Sequence, residues 1–189
     1  MMKAFCISMG LLFLGLSMII GCASTATIDL VYHPADVNVP SCKSSVAVVA
    51  LEDQRSVAPN AVGQKKDGQN IYGKPFTAEW ISRALLEELN LSGCKGEYHD
   101  KGTDFDTDYV VTWAVKEAYF KQESMSGYMA DMKLRIVVNK GGEKVLGKEF
   151  TSTLRKKSLP SAAAYNKVLL ELLQGMMREV VPDVREVIE

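Results

Sequence analysis

The chain has 189 residues, 47% of them hydrophobic and 24% charged, with a formal net charge of −1. That length leaves room for one domain with a full core and hardly for two, and the composition is ordinary for a globular protein. A near-neutral balance with no long Lys/Arg block supplies no field to hold nucleic acid, so that class of partner is set aside.

The first predicted element is a targeting segment. Lys3 gives a short positive start, and Ala4 to Ile20 is apolar and uncharged. A bilayer span needs about 20 apolar residues, so this run is short for one and fits a secretory h-region. It closes on Ile19-Ile20-Gly21-Cys22, followed by the small and polar stretch Ala23–Thr25. This stretch resembles the bacterial lipobox: an aliphatic residue, a tolerant position, a small residue and then cysteine. The resemblance implies that Cys22 receives diacylglycerol, that the chain is cut before it, and that the new amine is acylated. Buried acyl chain contributes about 0.8 kcal/mol per CH₂, so two or more chains hold durably where one does not. Ala23 stands where an Asp would resemble an inner-membrane retention signal, so the expected address is the periplasmic face of the outer membrane. The expected organisation is a signal peptide over 1–21, a lipidated tether with a short first strand over 22–40, and one α/β domain over 41–189.

Ile28, Leu30 and Tyr32 alternate in a short strand ended by Pro34. Val46 to Leu51 is a nearly continuous, Val-rich run, as in a central or doubly buried strand. Asp53 to Thr77 is rich in Gln, Asn, Gly and Lys, includes Lys65 and Lys66, and shows no clear period. Such length reads as a functional or mobile loop. A helix is predicted next, with Thr77 as N-cap, Glu79 in its first turn and Phe76 stapled to Ile81. Its stripe is Trp80, Ile81, Ala84, Leu85 and Leu89, and Gly93 stops it.

Three strands then form a meander. In the first, Tyr109, Val111, Trp113, Val115 and Tyr119 are assigned to one face. The second alternates cleanly, with Ala130, Met132, Leu134, Ile136 and Val138 inward and Asp131, Lys133 and Arg135 outward. Asn139 to Gly142 is a turn, and Glu143 onward returns as the third strand. A final helix, capped by Ser161, carries a broad apolar stripe from Tyr165 to Val180 and is expected to end at Pro182. Outward charges make one sheet face wet, so both helical stripes must cover the other. The expected fold is α/β (α+β): a two-layer sandwich, with a mixed sheet containing a three-strand meander and two helices on one face.

Of four cysteines, Cys6 leaves with the signal and Cys22 takes lipid, so Cys42 and Cys94 remain in an oxidising compartment. The strand after Cys42 leads away and the helix before Cys94 runs back antiparallel to it. Both thiols therefore fall at one end of the layer, and a Cys42–Cys94 disulfide is expected.

Catalytic sets are missing from the pattern. There is no GxSxG, HExxH, Walker loop or GxGxxG. Asp100, Asp104, Asp106 and Asp108 lack the glycine and closing Glu of a calcium loop, and His33 and His99 have no zinc-ligand spacing. No enzyme, metal or cofactor is expected. Asp53 and Arg55, two apart at the end of the Val-rich strand, read as a local ion pair or an Asp-closed turn. The alternative is a charged lip that orders the following loop against a partner.

The lipobox, the early strand after it, Val46-Ala-Val-Val-Ala-Leu-Glu-Asp-Gln-Arg55 with its D-x-R, the helix Ala78–Gly93, the meander and the last amphipathic helix together resemble the YajG-like lipoproteins. That family carries no settled biochemical activity. A related two-layer shape occurs in auxiliary lipoproteins of ABC-type envelope transporters and in lipoprotein activators of penicillin-binding proteins, as an analogy of shape. The resulting expectation is a non-catalytic adaptor, tethered to the membrane at Cys22, that binds another envelope protein. Its contact surface would be the wet face (Lys133, Arg135) or the 53–77 loop (Asp53, Arg55, Lys65, Lys66). The alternative is an auxiliary lipid- or ligand-binding component of an envelope ABC-type transport system. Its groove would be lined by Trp80, Trp113, Met176 and Met177.

Overall fold

The computed structural model describes residues 26–34, 42–102 and 105–189; the apolar N-terminal run and Cys22 lie outside the described residues. In chain order the elements are β1 (Ala26–Asp29), β2 (Ser45–Val49), β3 (Glu52–Asp53), β4 (Ala61–Gln64), β5 (Asn70–Lys74), α1 (Thr77–Leu91), β6 (Lys95–His99), β7 (Tyr109–Gln122), β8 (Gly127–Lys140), β9 (Glu143–Lys157) and α2 (Ala162–Ile188). All nine strands belong to one mixed sheet.

The long antiparallel strands β7, β8 and β9 form its spine, as the alternation in β8 predicts. Ala130, Met132, Leu134, Ile136 and Val138 are all fully buried, while Asp131, Lys133 and Arg135 face the other way. Along its free edge, β7 receives three short parallel neighbours in succession: β2, then β3, then β4. β6 flanks β2 in parallel; β5 pairs antiparallel with β4, and β1 runs parallel to β5. Central β2 is buried throughout from Val46 to Val49, as its Val-rich run implies.

α1 packs on β2 and β6, α2 packs on β1, β7, β8 and β9, and the two helices touch each other. Both therefore cover one face, and their stripes merge with the inward strand residues in one core. The other face of the meander carries the charges.

Several expectations are corrected by the structure. The 53–77 segment is not a long loop: it holds β3 and the β4–β5 hairpin. β4 and β5 are short and bury only Ala61, Val62 and Ile71, too few apolar side chains to write a period into the sequence. The short first strand is present as Ala26–Asp29 and pairs with β5 from Ile71 to Lys74. A β-bulge between Val115 and Glu117 resets the alternation in β7. Ala118 and Phe120 therefore point inward, and Tyr119 falls on the opposite side from Trp113. Thr77 is the first helical residue rather than the cap; Phe76 occupies the cap with φ −54° and ψ 138°, is 64% exposed and makes no side-chain capping bond.

α2 starts as predicted, with Ser161 Oγ accepting from the Ala164 amide at 3.0 Å. It runs through Pro182 to Ile188. A mid-helix proline costs about 3 kcal/mol. Val184 and Ile188 beyond it are fully buried, and each contributes roughly 1.5–3 kcal/mol, which is enough to carry the helix on. Pro182 itself is exposed.

Candidate functional site

The helix-free face of the meander holds a concavity of about 540 Å³, lined in part by Arg55, Lys116, Tyr119, Lys121, Met129 and Asp131. Strand alternation puts these groups there, and the bulge turns Lys116 and Glu117 outward together. Beside it Glu149 on β9 is gripped from two strands, by Lys133 Nζ at 2.8 Å and Lys116 Nζ at 3.0 Å. These two lysines hold the Glu149 carboxyl below the usual carboxylate range, and Glu149 in turn raises Lys133. Arg135 lies directly opposite Glu149 in register and is exposed. Thr153 Oγ1 donates to Asp131 at 2.7 Å. On this face Lys116, Lys133 and Glu149 are tied to one another across the strands, and Asp131 to Thr153.

Arg55 serves the backbone. Its side chain is only 2% exposed and meets the Asp53 carboxylate through two donors, Nε at 2.8 Å and Nη2 at 2.7 Å. Nη1 then donates to the carbonyls of Ala61 (2.7 Å) and Ala118 (3.1 Å). β3 pairs with β7 at Ala114 and Val115, and β4 resumes the pairing only at Phe120. The guanidinium fills the gap between them. The D-x-R is therefore a local ion pair that bridges two short strands. Bonding to Arg55 holds the Asp53 carboxyl below its usual range.

Lys65 and Lys66 sit in the β4–β5 turn, away from Lys133. Lys65 Nζ donates to Gln69 Oε1 at 2.6 Å, and the Gln69 amide donates to Asp67 Oδ1 at 3.0 Å. Together with Gln122, Pro160 and Tyr165 they border a second recess of about 510 Å³. Of the expected surface residues, the fold brings Lys133 and Arg135 together, joins Asp53 to Arg55, and leaves Lys65 and Lys66 apart. Sequence reasoning missed Lys116 and Glu149. Both sit on strands whose outward charges were legible, but only the pairing register makes them neighbours.

Cys42 and Cys94 form a disulfide, with Cα atoms 4.5 Å apart. It links the approach to β2 with the turn after α1, where Gly93 takes φ 87° and the Cys42 amide donates to Ser92 O at 2.9 Å. The apolar groove that a lipid carrier would need is filled: Met176 and Met177 are fully buried, Trp80 and Trp113 nearly so. Trp113 Nε1 donates to Val49 O at 3.0 Å within that core. Among the described residues no group of three or more His, Cys, Asp or Glu side chains is placed to hold a metal ion, and no helix is long and apolar enough to cross a membrane.

No family model matches the chain, and no curated protein matches it. Solved structures do. The protein XCC0632 from Xanthomonas campestris, of family DUF330, matches over 87% of this chain and 98% of its own, with a TM-score of 0.58 and 13% identity. An uncharacterized protein matches over 86% and 99%, with a TM-score of 0.54 and 16% identity. The hypothetical protein CT253 from Chlamydia trachomatis matches over 77% and 98%, with a TM-score of 0.54 and 11% identity. At these identities the likeness is one of fold: the mixed sheet with two helices on one face is an architecture this chain shares with those proteins.

Proposed function

We propose that this chain is a lipoprotein of the bacterial envelope, held through acylated Cys22 at the periplasmic face of the outer membrane. There it acts as a non-catalytic module that binds another envelope protein. The address rests on the apolar run and Ile19-Ile20-Gly21-Cys22. One observation carries the interaction reading: the helix-free sheet face is concave, and two of its lysines, Lys116 and Lys133, are held in place by Glu149 rather than left to wander. A preorganised polar surface loses less side-chain freedom when a partner covers it. A transport auxiliary that carries lipid inside the sandwich would need space that Trp80, Trp113, Met176 and Met177 occupy.

Photo-crosslinking residues introduced at Arg135 and Tyr119, on the face, and at Arg178, on exposed α2, test this in intact envelopes. Adducts to one protein from positions 135 and 119 but not 178 are the expected result. Adducts from 178 alone, or none from any position, would remove the assignment.

A further inference from the structure

The sheet registers place several chain segments at one end of the molecule. β1 begins at Ala26 opposite Ile71, near the start of β5, and Gln64 at the end of β4 aligns with both Asn70 and Lys121. The end of β7 faces the start of β8, where Gln122 pairs with Tyr128, and Gly127 pairs with Lys157 at the end of β9. The β4–β5, β7–β8 and β9–α2 connections therefore share the end from which β1 sets out. Their contacts agree: Ser158 N donates to Ser126 O at 2.8 Å, and Lys66 with Pro160 borders the same recess.

The residues gathered there are distinctive. Lys65, Lys66, Lys121, Arg155 and Lys157 bring five cations, against Asp67 and Glu123 in the same connections. Lys156 is turned inward and paired with Glu171 on α2. At the tips of two of the connections stand Met125, 72% exposed, and Leu159, 78% exposed. The other apolar residues more than half exposed, Val31, Phe76 and Leu91, lie at or beyond the opposite strand ends, where each bordering cation is matched by an acid, Lys74 by Glu79 and Arg83 by Glu87. Cations around projecting apolar tips suit an anionic lipid surface, with phosphates meeting the ammonium and guanidinium groups and apolar tips entering the headgroup layer.

Chain length decides the occupant. From Cys22 to Ala26 is four residues, which at full stretch reach about 14 Å. An anchor at Cys22 therefore keeps this end, rather than the β8–β9 turn, within reach of the headgroups.

We infer that the end of the sheet formed by the β4–β5, β7–β8 and β9–α2 connections is a docking surface for an anionic phospholipid membrane. There the cations Lys65, Lys66, Lys121, Arg155 and Lys157 bind lipid phosphate, and Met125 and Leu159 insert. This rests on the Cys22 anchor for its geometry. It sets the strands upright on the bilayer and leaves the polar face beside Glu149 open sideways to a partner.

The test uses the full processed chain in vesicles of phosphatidylglycerol and phosphatidylethanolamine, with an environment-sensitive fluorophore on single cysteines. The sites are Met125→Cys, Leu159→Cys and, at the far end of β9, Lys144→Cys. The expected result is a blue shift and loss of emission to a lipid-borne quencher at 125 and 159 but not at 144. The response should weaken in phosphatidylcholine, at high salt, and when Lys65, Lys66, Arg155 and Lys157 are changed to Glu. Mass spectrometry of the same sample reads the lipid at Cys22 separately. Lipid present with probes at 125 and 159 silent overturns the docking surface and spares the anchor. Lipid absent with those probes responding overturns the anchor and supports the surface; lipid absent with probes silent overturns both.

Discussion

Arg55 reaches across 63 positions of sequence to donate a hydrogen bond to the carbonyl of Ala118. This contact is made at the one stretch of β7 between β3 and β4 where no strand supplies a partner on that edge. An arginine side chain thus does what a ladder of amides does elsewhere in the sheet.

Removing it exposes the cost. Arg55→Ala leaves the Ala61 and Ala118 carbonyls without their donor, and the expected loss is about 2–4 kcal/mol. Arg55→Lys should recover only part, since one ammonium cannot meet the Asp53 carboxylate and both carbonyls in the fork geometry of a guanidinium. Urea unfolding midpoints of the three proteins measure this, and an unchanged midpoint in the alanine variant would contradict the bridging role.

The pair also sets an acid limit. Bonding to Arg55 depresses the Asp53 carboxyl in the folded chain, whereas unfolded it titrates near pH ~3.9. The contribution is therefore fully present above that unfolded value and disappears as pH falls through the lower folded one. Asp108, held down by Ser45, and Glu149, held down by Lys133 and Lys116, act in the same direction. Water screens both more strongly. Thermal midpoints should drop as pH goes below about 4, and the drop should be shallower in Asp53→Asn.

Gly63 answers to a different constraint. A Cβ there would stand 2.3 Å from the Phe120 ring, which is stacked on Tyr165 with centroids 5.2 Å apart and edge-on to Tyr128. Gly63→Ala must push this aromatic group aside, at about 1–3 kcal/mol. Near-ultraviolet circular dichroism should report the disturbed rings, while Gly68→Ala, with open space around it but φ 87°, should leave that signal unchanged.

The Cys42–Cys94 bond closes a separation of 52 residues. In the loop-entropy model that contributes about 4 kcal/mol, equivalent to roughly 8–16 °C in Tm for a domain of this size. Reductant should lower the melting temperature by that amount in the native chain and leave a Cys42→Ser/Cys94→Ser variant unaffected.

Cys22→Ser probes the tether alone. Fractionated envelopes should show the variant released from the membrane pellet, with its disulfide intact. The fractionation is done at high salt, which removes the charge-based docking, and retention that survives it would count against acylation at that residue.

What could be read from the chain beforehand follows burial. The β8 alternation, both helical stripes, the Ser161 cap and the cysteine pair were legible because each is written in side chains that must be hidden or joined. β4, β5 and β6 were not. β6, Lys95-Gly-Glu-Tyr-His99, joins by backbone bonds at a sheet margin, where hydrophobic period is not required, and β4 and β5 are too short to show one. Tyr119 went to the wrong face because a bulge inserts one residue without marking the sequence, and Pro182 misled because packing beyond it outweighs the lost amide. The Glu149 cluster was hidden for another reason: two strands' outward charges are visible singly, but register decides which of them meet.

β2, β3 and β4 all dock on β7, yet all three precede it in the chain. A polypeptide made from its N-terminus thus produces these three strands before the one they share, while β7, β8 and β9 can zip together through two tight reversals as soon as they emerge. The first hundred residues must wait for the last ninety or so. During that interval β2, β3 and β4 lack the strand they share, and a nascent chain arrested just before Tyr109 should be far more open to proteases than one allowed to continue past Lys157.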